Sequence, residues 1–157
     1  MFSMNKVKWL WSITIAVGLV LIYAALSAYF VEIGDFYKSL KLPSFSLPPV
    51  WITIGWSIIY LVDIAVISRL VYYKESTYIV IPIMILGFLN VIWCIVFFMF
   101  NQIVLGFVLL VLMLLLVFVI TAFIIKEDSF SLIFWQIKIV WYIYVTIVGY
   151  YTMILNI

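Results

Sequence analysis

Two charged residues, Asp63 and Lys138, stand alone inside long apolar runs, with aromatic and amide residues recurring around them at helical spacing. Trp56, Tyr60 and Asp63 fall at i, i+4 and i+7, which is one face of a helix. Asn90, Trp93, Phe97 and Asn101 repeat that pattern, and Lys138, Trp141, Val145 and Val148 form a third stripe. Polar groups in membrane spans usually face the bundle interior. Three such stripes converging on one cavity would suit a flat, mostly apolar ligand with a few polar edges. The alternative is that they only pack helix against helix, and at this level the two readings stand level.

Other chemistry is scarce. The chain has no histidine, which removes the commonest general base and the commonest metal ligand. Haem ligation by histidine is thereby excluded; an axial Tyr or Cys is open in principle, and a free-base porphyrin needs no axial ligand. The single cysteine, Cys94, excludes an intrachain disulfide and reads as a small apolar filler. No Gly-rich phosphate loop appears. Glu127 and Asp128 read as a solvated loop pair. No cofactor is required by any of these residues. A net charge of +2 is too small to imply a nucleic-acid partner.

The elements that must hold these residues follow from composition. Hydrophobic residues make up 70% of the 157 and charged ones 9%, against about 45–50% and about 25% in soluble domains. A soluble fold of this size cannot hide so much apolar surface. The class is therefore an all-α integral membrane protein in a lipid bilayer, one domain of five transmembrane helices. A helix needs about 20 apolar residues to cross. Charge-free stretches place the spans at about 9–30, 50–73, 78–100, 103–125 and 132–155, with Asn101 and Gln102 turning between the third and fourth. A barrel is excluded, because its strands would alternate apolar and polar residues. The first span has an apolar region too long for a signal peptide. Trp9 and Trp11 read as its interfacial anchors. No internal repeat divides the chain, so the inverted-repeat transporter architecture is not suggested.

Lys6, Lys8, Arg69, Lys74 and Lys126 lie on one side, and only Lys38 and Lys41 on the other. The positive-inside rule puts the N-terminus in the cytoplasm and the C-terminus outside. The one long loop, 31–49, starts a short helix at Gly34 and Asp35 containing Phe36, Tyr37 and Leu40. Pro43, Pro48 and Pro49 then stiffen its exit. It is either a lid over the helix ends or a tether with interfacial aromatics, and chemistry alone favours the tether slightly.

Asp63 lies about 20 Å below the outer edge of its span and Lys138 about 9 Å above the inner edge. In a core about 30 Å thick these depths agree. Unpaired intramembrane charge is costly, so an Asp63–Lys138 ion pair is expected if the second and fifth spans are neighbours. The competing reading has Lys138 snorkelling to the interface and Asp63 protonated.

Several short motifs, in order and across nearly the whole chain, resemble the TspO/MBR family of tryptophan-rich sensory proteins, which includes the peripheral-type benzodiazepine receptors. They are Tyr37-x-x-Leu40, the stretch from Leu42-Pro43 to Leu47-Pro48, Trp56-Ser57-Ile58-Ile59-Tyr60, Leu89-Asn90-Val91-Ile92-Trp93 followed by Phe97-Phe98, Trp141-x-x-Tyr144, and the ending Leu155-Asn156. The resemblance implies a divergent bacterial-type member in a bacterial cytoplasmic membrane, often a homodimer. It implies a five-helix bundle whose pocket takes porphyrins such as protoporphyrin IX or haem, or sterol-like molecules. Trp56, Tyr60, Asn90, Trp93, Phe97, Trp141, Tyr144, Val145 and Val148 would line that pocket. Tyr37, Leu40, Pro43, Phe45 and Pro48 would belong to a lid over it, which raises the lid reading. Trp56 and Trp141 match tryptophans linked in some members to light-dependent porphyrin breakdown.

The chain also departs from the family pattern. Leu47-Pro48-Pro49 stands for paired prolines, and Ile137-Lys138 stands where the family has Pro-Tyr. Val145 and Gly149 replace small residues after the last-span tryptophan, and Asp63 replaces an apolar residue. Three functions fit the sequence: a receptor or binding protein for porphyrin-like ligands, a light- or oxidant-dependent porphyrin-degrading activity, and a transporter or scaffold subunit.

Overall fold

The computed structural model describes residues 4–73 and 77–157. Lys74, one of the residues that assign the cytoplasmic side, lies outside the described residues. Among the described residues, five helices are long and apolar enough to cross a membrane. They are α1 (Met4–Phe30), α3 (Pro49–Tyr73), the third span Thr77–Met99, α5 (Ile103–Glu127) and α6 (Ser129–Asn156). A short helix, α2 (Asp35–Ser39), lies in the first loop. Among the described residues there is no strand.

Neighbouring spans follow a closed ring, α1 to α3 to α6 to α5 to α4 and back to α1, where α4 is Val80–Cys94. The ring leaves a central axis onto which each helix turns one face. Its interior carries Ile67, Ile83, Met113, Ile120 and Trp135, all fully buried. Its outside is apolar as well: Leu61 is 65% exposed and Val140 67%. Such a surface is stable only with lipid as its solvent. In lipid each hydroxyl needs an internal partner. Ser12, Thr53, Ser57, Ser68, Thr121 and Thr146 each donate to the carbonyl four residues back.

Several boundaries differ from the sequence expectation. The third span begins with a 3-10 turn, Thr77–Ile79, and ends in a π-helical turn, Ile95–Met99. No residue pattern announced the π turn, because it is set by how the helix end packs. Asn101 takes a left-handed conformation, φ 56°, which Asn tolerates better than most residues. Its side chain is exposed in the turn, so it leaves the stripe it was expected to share with Asn90. In the first loop the helix stops at Ser39, and Leu40 is its extended C-cap rather than a member.

Asp128 is not solvated as expected. It alone separates α5 from α6 and accepts two hydrogen bonds from Arg69, at 2.9 and 3.0 Å, and one from Ser131. Burial pushes its carboxyl up, but the hydrogen bonds from Arg69 and Ser131 and the guanidinium charge outweigh that and hold it below the ordinary value. A depressed carboxylate contributes stability above its unfolded value of about 3.9 and loses it as pH falls through the lower folded value. Thermal melts between neutral and acid pH should therefore show a loss on the order of 1 kcal/mol below that range. Asp128→Asn should flatten the loss.

Candidate functional site

Trp56, on α3, is the centre of an aromatic cluster. Its ring meets Trp93 at 6.4 Å, Tyr60 at 6.4 Å, Tyr142 at 5.7 Å edge-on and Trp141 at 5.9 Å edge-on. Trp93 in turn stacks on Phe97 at 5.3 Å with the planes 11° apart. Such offset and edge-on pairs are favourable beyond the area they bury. Stripes from α3, the third span and α6 therefore meet inside the ring.

Trp56 and Trp93 stand between two chambers. One, about 100 Å³, lies beneath the first loop and is lined by Tyr37, Phe97, Tyr144, Val145 and Val148, with Leu110 of α5 opposite. The other, about 330 Å³, reaches α1 and is lined by Ser27, Tyr60, Asn90 and Cys94. No lining residue of either chamber is charged. Polar capacity sits in the second. Asn90 Nδ2 donates to Ser27 Oγ and Tyr60 Oη, each at 3.2 Å, while Asn90 Oδ1 has no partner. The indole N–H groups of Trp93 and Trp141 are also buried without a partner. A buried donor or acceptor left unmade costs about 1–3 kcal/mol. A ligand with complementary polar edges would recover that.

The sequence-predicted site residues are thus divided. Trp56 and Trp93 line both chambers, and Tyr60 and Asn90 only the one against α1. Trp141 lines neither. It faces a groove on the outer surface between α3 and α6, and Tyr144 touches both that groove and the chamber under the loop. Sequence reasoning overlooked Ser27, Leu42, Ser46, Ile52 and the whole contribution of α5, including Gly106 and Leu110. The α5 residues carry no polar or aromatic pattern, so only the ring closure could reveal them.

The first loop is held onto the bundle. Tyr37 stacks on Phe98 at 6.1 Å, Phe36 meets Phe97 at 5.6 Å, and Phe45 meets Tyr151 at 5.4 Å. Pro43 is buried, whereas Pro48 is exposed at the start of α3. Leu40 does not line either chamber. Burial raises the Tyr37 phenol above its ordinary value, with Tyr144 adding to the rise. Two latches tie the backbone to α6. Asn156 exchanges two hydrogen bonds with Lys41, accepting from its N–H at 3.0 Å and donating to its carbonyl at 2.9 Å. The Leu47 N–H donates to the Tyr144 hydroxyl at 2.8 Å. Each such bond is worth about 1 kcal/mol net. Asn156→Ala and Tyr144→Phe together should raise amide hydrogen exchange at Lys41 and Leu47 by about tenfold or more. Unchanged exchange would mean the aromatic contacts alone hold the loop.

Below the cluster lies the charged pair. Lys138 Nζ donates to Asp63 Oδ1 at 2.5 Å, and the Tyr23 hydroxyl donates to Asp63 Oδ2 at 2.7 Å. Asp63, Lys138 and Tyr23 are all essentially inaccessible. Lys138 also lies 4.8 Å from the ring centre of Trp135 and 5.9 Å from that of Tyr142. Lys138 does not snorkel outward; its ammonium ends on Asp63 inside the bundle.

No curated protein matches the sequence. A family profile does match, and the five membrane-spanning helices are consistent with it. That profile, of the TspO/MBR family, covers residues 9–155 of the 157, and the chain belongs to this family of membrane-bound binding and sensory proteins.

Proposed function

We propose that this protein is a receptor for a flat, largely apolar ligand of the porphyrin or sterol class, held beneath the first loop in the two chambers that Trp56 and Trp93 divide. The observation that carries the reading is the uncharged aromatic lining, with Asn90 Oδ1 and the Trp93 indole N–H left for a ligand's polar edge. No cofactor is needed for binding. Ligand pockets commonly measure about 300–1,000 Å³. The space under the loop, about 100 Å³, is too small for a macrocycle. Binding therefore requires the loop to lift or Trp56 and Trp93 to part and merge the chambers. Ionised propionates would find no partner inside, so a porphyrin would sit with them toward Lys38 and Lys41 on the loop.

The proposed orientation keeps Lys6, Lys8, Arg69 and Lys126 in the cytoplasm of a bacterial cell and the ligand-facing loop outside. A homodimer is the expected assembly from family membership. A degrading activity is the second reading, favoured by the edge contact of Trp56 with Trp141 and by the central place of Trp56.

The test is a dark titration of purified protein with protoporphyrin IX, read by tryptophan fluorescence. Saturable quenching is expected, weakened strongly by Trp56→Phe and Asn90→Ala and only mildly by Trp141→Phe. Equal quenching in the first two variants and the parent would remove the porphyrin from this site. Illumination of the complex, with and without Trp56, then separates binding from breakdown.

A further inference from the structure

Beyond ligand binding, three partly buried rings and the buried Tyr23 form a path that leads away from the chambers. From Trp93 it passes to Trp56 at 6.4 Å, to Tyr60 at 6.4 Å and to Tyr23 at 5.8 Å between ring centres. Indoles and phenols are the side chains most easily oxidised by one electron apart from thiols. Rings this close exchange electrons readily without moving. A path of this kind needs an end, and the end needs a proton acceptor, because a phenol that loses an electron becomes a strong acid.

Only one tyrosine on this path has such an acceptor. The Tyr23 hydroxyl donates to Asp63 Oδ2 at 2.7 Å. Tyr60 instead accepts from Asn90. Asp63 can take the proton only if it is ionised, and a lone carboxylate at this depth would be neutral. Lys138, bonded to the other oxygen, is the counter-charge a carboxylate needs there. The same three residues thus explain a feature that ligand binding leaves unused: a buried charge pair that lines neither chamber.

We propose that Tyr23, Asp63 and Lys138 form the terminus of an internal electron-transfer path that removes oxidising equivalents from the chamber tryptophans. The oxidant is a one-electron acceptor acting at the chamber, such as a photo-excited conjugated ring system. It takes one electron from Trp56 or Trp93 and leaves an indole radical cation. An electron from Tyr23, relayed through Tyr60, refills the indole. The Tyr23 O–H bond breaks and its proton moves to Asp63 Oδ2. The products are a restored indole, a neutral Tyr23 phenoxyl radical and a neutral Asp63 carboxylic acid. The net positive charge left by the oxidant is then the ammonium of Lys138, no longer balanced by Asp63 and lying against the faces of Trp135 and Tyr142. The path spares the tryptophans, whose radical cations would otherwise react on irreversibly, while the one-electron acceptor is left reduced by one electron.

The path belongs to the apoprotein, so its test needs no ligand and can fail while the receptor reading stands. The full-length protein in detergent is flashed with light that excites indole and not phenol, with cobalt(III) hexaammine as sacrificial electron acceptor. Radicals are trapped by freezing and read by electron paramagnetic resonance. The parent should give a tyrosyl spectrum that narrows when the protein is made with ring-deuterated tyrosine. Tyr23→Phe keeps the ring and its packing. It should lose that spectrum to background and show an indolyl radical in its place. Trp56→Phe should lower the tyrosyl yield. The double substitution Asp63→Asn with Lys138→Met removes the acceptor without stranding a charge and should abolish the tyrosyl signal. A tyrosyl spectrum unchanged in Tyr23→Phe would overturn the proposal. So would a parent protein that yields only indolyl radicals.

Discussion

Lys138→Met, with Asp63 left in place, should destabilise the protein by about 3–5 kcal/mol, because it strands a buried carboxylate. Asp63→Leu should cost a comparable amount by stranding the ammonium. The double replacement, Asp63→Leu with Lys138→Met, should return most of the loss, since a buried ion pair exchanged for well-packed apolar residues is often neutral or stabilising. Tyr23 would then lose its acceptor, so the recovery falls short by the cost of one unmade hydrogen bond, about 1–3 kcal/mol. A double-mutant cycle of unfolding in mixed micelles measures the coupling. Single replacements costing under about 1 kcal/mol would mean that Asp63 is neutral in the folded protein and that the pair is only a hydrogen bond.

Gly55→Ala tests the seam between α3 and α6. A Cβ at Gly55 would sit 2.0 Å from Cη2 and 2.3 Å from Cζ3 of Trp141, inside contact distance. Either the indole turns outward or the helices part. Overpacking of this kind costs about 1–3 kcal/mol. It should also break the edge contact of Trp141 with Trp56 and change the tryptophan emission. Gly18→Ala is the control, since nothing lies within 4 Å of its would-be Cβ. Replacing that glycine in mid-helix should be neutral or stabilise by up to about 1 kcal/mol. If Gly55→Ala behaves like Gly18→Ala, Trp141 is mobile and the groove beside it communicates with the chamber.

Much of this was written in the chain itself. The absence of charge over long runs determines five spans, because bare charge and unpaired backbone are too costly in hydrocarbon. The helical period determines that Trp56, Tyr60 and Asp63 share a face. Matching depths alone brought Asp63 and Lys138 to one level of the bilayer. What periodicity cannot say is which faces turn toward one another, and that depends on the order of helices around the ring. The ring decided that α5 supplies a wall, that Trp141 lines the groove between α3 and α6 rather than either chamber, and that Tyr23 completes the charged pair. It also decided the π turn, Ile95–Met99, from which Phe97 and Phe98 meet the loop. Spans follow from the free energy of single residues in lipid, which sequence carries. The site follows from contacts between helices far apart in sequence, where apolar residues are interchangeable to the bilayer and only shape distinguishes them.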